Sequence, residues 1–429
     1  MTLIDIKKHF ILPGILLFIS GYCFTQPLSY PYELEKKNFV RYDKNKLEYF
    51  GDSLQFQEIF KKLETLVFKG KGRINIIHIG GSHIQAGVFS GRMRQRFQNF
   101  HYGLNAGRGM VFPNRVARTN TPVDLYVEYT GEWDRCKNTQ KRKKCDLGLM
   151  GYSVTTKDSK SVIKLYLKNK QYPPHDFNKV RIYHPIAEDI FQPVLQNEYF
   201  ADRVFTDSTQ GFTCFTLKNY EDSVILGFQK TDSLQNRFTL FGIELLTSDP
   251  GIIYHGAGVN GASIPCWLRC NLFAEQLAIL SPNLVILTLG TNDAYTRRFK
   301  PEVYYQNFDS LLTVIRNSAP GVPLLLTVPN DSYLFRRYIN KNTLKVRKEI
   351  YKLAEKYNAA VWDFFGVMGG LNATSLWYQD GLMKNDKIHF TRPGYVYKAD
   401  LLFSAFLRAF ENYLETNRKT GKTKAQTMK

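Results

Sequence analysis

Cysteine is scarce, with six residues in 429. No Cys/His spacing among them matches a zinc site, so no zinc site is expected. Acidic residues are also few, 38 Asp and Glu against 58 Lys and Arg, a formal charge of +20. Nucleic acid is one partner such an excess can serve. The basic residues are spread along the chain, however, and no nucleic-acid-binding motif accompanies them. An envelope or polyanionic-glycan setting fits the charge as well, and no nucleic-acid partner is expected. No internal repeat is evident. No long apolar run follows the first 25 residues, so no transmembrane segment is expected after them.

What is present is a globular composition, 44% hydrophobic and 14% aromatic, long enough for two or three domains. Lys7, Lys8 and His9 precede a short apolar run from Phe10 that is broken by Pro13 and Gly14. This reads as a secretory signal peptide over 1–25, and predicts a secreted or periplasmic protein. An uncleaved anchor is the alternative. Tyr22 before Cys23 argues against a lipidated cysteine. Five cysteines then remain. Cys266 and Cys270, four apart on an expected helix, are poorly placed to bridge. Cys136 and Cys145 flank a basic loop, Lys141–Lys144, and could close a hairpin. An odd count leaves at least one free thiol.

Residues 30–68 read as a polar, partly helical lead-in. Ile74–Ile79 is an apolar strand, followed by a helix with Val88, Met93 and Phe97 on one face and a glycine-rich loop over 103–113. Residues 123–248 change character: short strands at 125–129, 161–167, 180–183, 211–217, 223–229 and 237–246 predict an inserted β-sandwich. Strand–helix alternation then resumes, with strands at 252–254, 284–289, 323–328 and 359–363. Helices are expected at 265–280, 303–317, 340–357 and 393–414. Such alternation predicts an α/β domain, split over 30–122 and 249–416, with a parallel sheet covered on both faces. Residues 417–429 read as a basic, disordered tail.

Serine acyl chemistry needs a nucleophile, a base, a carboxylate to orient the base, and donors for the oxyanion, so no metal or other cofactor is expected. Ser82 follows the first strand at Gly80-Gly81, where a sheet hands over to a helix; a plain helix cap is the competing reading. His389 is the candidate base. Asp386, three residues earlier in the same loop, can reach its Nδ1, although an Asp-x-x-His pair alone carries little weight. Asn292, in Gly290-Thr291-Asn292-Asp293, follows the strand over 284–289 and can aim an amide N–H. Gly256–Ala262 follows the strand at 252–254, and a glycine there can bring backbone N–H close to a substrate.

These four blocks, in this order and each at an expected strand end, resemble the SGNH (GDSL-type) hydrolase superfamily. The resemblance covers roughly 74–122 and 250–415. It implies a flavodoxin-like, three-layer domain. Ser82 would be nucleophile, His389 general base and Asp386 its orienting acid. The oxyanion hole would combine the Ser82 and Gly261 amides with Asn292; Gly258 is the alternative glycine. One departure is visible: Gly81 stands where the family has Asp. A narrower resemblance is to bacterial envelope members acting on O-acetylated glycans, including peptidoglycan O-acetylesterases. Some of these carry a β-sandwich similar to a carbohydrate-binding module in the slot filled here by 123–248. The function implied is an esterase removing acetyl or other short acyl groups from a carbohydrate in the cell envelope. A carbohydrate O-acetyltransferase with the same site, or a non-catalytic glycan-binding envelope protein, are the alternatives. Arg108 is a candidate for an anionic glycan group, against a structural ion pair. His83 and Gln85 are candidates for the pocket wall, against packing or capping. Trp133 is a candidate sugar platform, Asp293 a loop support and Asp363 structural. No pattern speaks to oligomeric state.

Overall fold

The computed structural model describes residues 34–52, 54–168, 174–196 and 201–427. The expected signal peptide lies outside the described residues. The chain enters through a short strand, β1 (Glu48–Tyr49), and α1 (Leu54–Lys69), which buries Phe56, Ile59, Phe60, Leu63 and Leu66 at helical spacing. β2 (Arg73–Gly80) is apolar and almost wholly buried. It hands over to α2 (Ser82–Gln85), α3 (Val88–Asn99) and the short β3 (Gly109–Val111).

Among the described residues, eleven strands follow without a helix between them. β4 (Leu125–Tyr129), β5 (Asp134–Lys137), β6 (Tyr152–Thr156) and β7 (Ile163–Leu167) come first. Then come β8 (Phe177–Tyr183), β9 (Gln192–Leu195), β10 (Ala201–Asp207) and β11 (Phe212–Glu221). The last three are β12 (Ser223–Gln229), β13 (Phe238–Leu240) and β14 (Gly242–Leu246). They form antiparallel sheets ordered β10-β11-β8-β14-β3, β4-β7-β12-β9 and β13-β6-β5. β4 alternates buried Leu125 and Val127 with exposed Tyr126 and Glu128, the period of a half-buried strand. The expected strand over 237–246 is two strands, broken at Phe241. β5, β6, β9 and β10 carry no clean alternation and escaped the sequence pattern.

The α/β pattern resumes with β15 (Gly251–Gly258), α4 (Ile264–Leu268), α5 (Phe273–Leu280), β16 (Leu284–Thr288) and α6 (Pro301–Ser318). β17 (Leu324–Thr327), the small hairpin β18 (Tyr333–Leu334) and β19 (Tyr338–Ile339), and α7 (Asn342–Tyr357) follow. β20 (Ala360–Trp362), α8 (Phe364–Met368), α9 (Ala373–Gln379) and α10 (Arg392–Thr427) close the chain. The main sheet is ordered β1-β20-β17-β16-β2-β15. Its five long strands are parallel and, numbered along the chain, run 2-1-3-4-5, with β1 antiparallel at one edge. That is the flavodoxin order, with its switch point between β2 and β16. Ile76 and His78 face α3, where the His78 ring meets Phe89, while Ile77 and Ile79 join the core beneath α5–α7.

Two expectations change. The single helix expected over 265–280 is two. Asn271 accepts from Leu147 N at 2.9 Å and donates to Asp146, and Leu272 N donates to Leu147 O, so a loop from the β-rich segment captures the backbone between them. The stretch read as a disordered tail continues α10 to Thr427, where no proline stops the helix. Cys136 and Cys145 are bonded, and Cys214, Cys266 and Cys270 are free.

Candidate active site

Three parallel strands end at one edge, and each delivers one block. After β2, Gly80 and Gly81 turn the chain into α2, which places Ser82 at its first position, half-buried. Ser82 Oγ lies 2.8 Å from His389 Nε2. His389 Nδ1 lies 2.8 Å from Asp386 Oδ2. The other Asp386 oxygen accepts from the backbone N–H of Ile388 and of His389, both at 2.9 Å. Burial opposes the Asp386 charge, but the His389 ring and those amides outweigh it and hold the carboxyl well below the usual carboxylate range. An ionised Asp386 fixes the proton on Nδ1 and leaves the Nε2 lone pair facing Ser82.

The glycine block does not begin after the strand as expected: Gly256–Gly258 are the last residues of β15, and the rest forms the turn that follows. Ala262 N donates to Val259 O, closing a turn that puts Gly261 at φ +77° with its Cα side open. Gly258 is instead packed against α2: a Cβ there would fall 2.3 Å from Gln85 N. Of the two glycines, Gly261 is the exposed one. The third block follows β16. Asn292 Nδ2 donates one hydrogen to Ala262 O at 2.8 Å, which ties this block to the second.

Gln85 pins the arrangement from below. Its Oε1 accepts from Asn260 N at 2.5 Å and Tyr152 Oη at 2.8 Å, and its Nε2 donates to Thr119 Oγ1 and Asn120 O. It is fully engaged in packing rather than facing a ligand. His83 is buried with its ring stacked on His389, centroids 5.3 Å apart and planes 28° apart. Burial, then Lys398 and His389, hold it far below the usual imidazole range, so it is a neutral plate behind His389.

Arg108 does not face the site. It is buried, with Nε 2.5 Å from Asp124 Oδ2, and Arg94 Nη1 shares that oxygen at 3.2 Å. Trp133 is no platform: it is 4% exposed, donates to Thr130 O and packs on Phe228. Asp293 supports its loop by accepting from Ile264 N, and Asp363 accepts from Gly366 N and pairs with Arg347. Lys398 escaped the sequence reading. It is buried on α10 with its ammonium 4.4 Å from the Phe364 ring centroid and 5.3 Å from that of Phe390, next to His389. The signal was there: Lys398 lies three and four residues before Leu401 and Leu402, on the apolar face. Among the described residues, no cluster of His, Cys, Asp and Glu could hold a metal ion.

Residues 222–397 match the model of the GDSL-like lipase/acylhydrolase family. The matched stretch holds Gly261, Asn292, Asp386 and His389 but not Ser82, which the β-rich segment separates from them. A solved peptidoglycan O-acetylesterase is 19% identical and superposes with a TM-score of 0.68, covering 85% of this chain and 99% of its own. A lipase/acylhydrolase from Enterococcus faecalis is 20% identical, covers 37% of this chain and 75% of its own, and has a TM-score of 0.29. An acetylxylan esterase from Geobacillus stearothermophilus is 17% identical, covers 37% and 73%, and has a TM-score of 0.30. No curated protein matches the sequence. The resemblance to the SGNH (GDSL-type) superfamily is thus borne out. The layout is like that of the peptidoglycan O-acetylesterase, and the fold is the mixed α/β one of this superfamily.

Proposed function

We propose that the protein is a serine esterase of the cell envelope that removes O-acetyl groups from a carbohydrate, through an acyl-enzyme on Ser82. The observation that carries this reading is the unbroken chain Ser82 Oγ–His389–Asp386, with both links at 2.8 Å. His389 Nε2 takes the Ser82 proton as Oγ attacks the ester carbonyl. The tetrahedral oxyanion is met by the Ser82 and Gly261 amides and by the second hydrogen of Asn292 Nδ2. His389 gives its proton to the departing sugar oxygen, which leaves as the free hydroxyl, and water activated by the same ring releases acetate. The acylhydrolase family match supports ester hydrolysis, and the peptidoglycan O-acetylesterase likeness supports a glycan of the envelope. Residues 123–248 would be an inserted β-sandwich that flanks the carbohydrate.

Acetate release from acetylated glycans, peptidoglycan among them, tests this with Ser82→Ala as control. The variant should lose on the order of 10⁶ in turnover on an aryl acetate. Retained turnover would refute Ser82 as nucleophile. Product analysis with a sugar acceptor present separates hydrolysis from acetyl transfer.

A further inference from the structure

A cavity of about 220 Å³ opens between the first turns of α3 and α10 and the β-rich segment. None of Ser82, Asp386 and His389 lines it, but two of its wall residues are near them along the chain. Arg392, in its wall, is three residues from His389, a span of at most about 11 Å. Gly87, in the opposite wall, is five residues from Ser82. The lining is strongly basic: Arg92, Arg94, Lys168 and Arg392 against the single carboxylate of Asp124. Arg92 is held by Asp400 and Arg94 by Asp124, and each of those carboxylates also serves a second arginine, Arg96 and Arg108. Four guanidinium groups therefore share two carboxylates. Arg392 and Lys168 are exposed, and among the described residues neither has a carboxylate partner.

Lys168 lies between this cavity and a second groove. That ammonium sits 5.9 Å over the ring of Tyr126. Tyr126 is 43% exposed and lines a 560 Å³ groove along β4 and β7 with Arg115, Glu128 and Lys164. The register places Tyr126 opposite Tyr166, their rings 6.0 Å apart, and Glu128 opposite Lys164. A basic cavity near the triad thus lies beside an outward-facing tyrosine pair.

We infer that this cavity and groove form an extended subsite for a carboxylate-bearing polysaccharide. Flat tyrosine faces suit the C–H faces of sugar rings, and unpaired Lys168 and Arg392 suit a sparse row of carboxylates. A nucleic acid fits less well. It brings one charge per ~3.4 Å of each strand, and Asp124 and Glu128 interrupt the basic path. The inference deepens the esterase reading and rests on it for the role of the subsite, so the test is one of binding rather than turnover.

The probe is polygalacturonate, with its carboxyl-reduced form as the neutral control, titrated calorimetrically into the full-length protein. The polyuronate should bind about tenfold more tightly than the reduced polymer, and the difference should shrink with added salt. Lys168→Gln with Arg392→Gln should erase the difference, and Tyr126→Ala should weaken both polymers alike. Unchanged thermal melting would show that the variants fold. Equal binding of both polymers, or a preference that survives the double substitution, would overturn the inference. So would a single-stranded oligonucleotide that competes as well as the polyuronate. Aryl acetate hydrolysis by the same preparation reports separately on the esterase: binding without hydrolysis leaves the subsite standing and removes the enzyme.

Discussion

The departure at position 81 has a consequence in space: a Cβ there would lie 2.9 Å from Asn292 Nδ2. That atom ends a flexible side chain and can move, at the cost of its hydrogen bond to Ala262 O. It is also the proposed oxyanion donor, so movement should cost rate. Gly81→Ala and Gly81→Asp are expected to fold normally and to lower kcat on an aryl acetate by about tenfold or more, with KM little changed. Restoring the family residue should therefore not improve the enzyme; a faster Gly81→Asp would contradict this account. Asn292→Ala should cost about 10²–10³ in kcat. Next to it, burial raises the Asp293 carboxyl to about 6, against backbone hydrogen bonds that lower it. A carboxyl raised above its unfolded value contributes its stability fully below about pH 4 and loses it as pH climbs through 6. Asp293→Asn should then melt like the wild type near pH 4 and be more stable near pH 8, by about 3 kcal/mol at most. Melting curves at the two pH values decide it.

At the scale of elements, the first turns of α10 place a cation beneath the triad. Burial lowers the Lys398 ammonium to about 7, while the rings of Phe89, Phe364 and Phe390 face whatever charge remains. A base lowered in the folded state makes stability rise with pH, here between about 7 and the unfolded value near 10.5. Urea denaturation of the wild type should shift to higher midpoint from pH 7 to pH 9. Lys398→Met should lose that shift and exceed the wild type at pH 7 by about 2 kcal/mol. Asp124 presents the opposite case. It binds two buried arginines, which together outweigh burial and hold its carboxyl down to about 2. Asp124→Asn leaves both guanidinium groups uncompensated and should cost about 3–5 kcal/mol, measured by the same denaturation.

At the scale of the whole molecule, the β-rich segment and the α/β domain share one core. Ile77, Ile79 and Leu287 of the main sheet belong to the same buried cluster as Val127, Ile163 and Leu226 of the antiparallel sheets. β3, which precedes the segment, pairs with β14 at its end, and Tyr152 of the segment holds Gln85 beneath the site. The two parts are expected to unfold together. Scanning calorimetry should show one transition for residues 34–427, and two separated transitions would show that the segment is an independent domain.

How much of this was legible depended on what kind of information each residue carries. β2, β12 and β16 were readable because an apolar strand leaves its signature in consecutive residues. Ser82, Gly261 and Asn292 were readable as blocks because the parallel topology puts each just past a strand the pattern already marks, whereas Asp386 and His389, in the loop before α10 and not at a strand end, were readable from their spacing. The capture of Asn271 that splits one expected helix into two, and the burial of Arg108 and Trp133, were not. Each depends on a partner more than a dozen residues away, and local periodicity holds no trace of such partners. The sequence by itself determined which groups could do acyl chemistry and in what order they stand along the chain. Only the tertiary structure decided that Ser82, His389 and Asp386 meet within hydrogen-bonding distance, and that Gly81 leaves room for Asn292, because those distances are set by packing across the sheet.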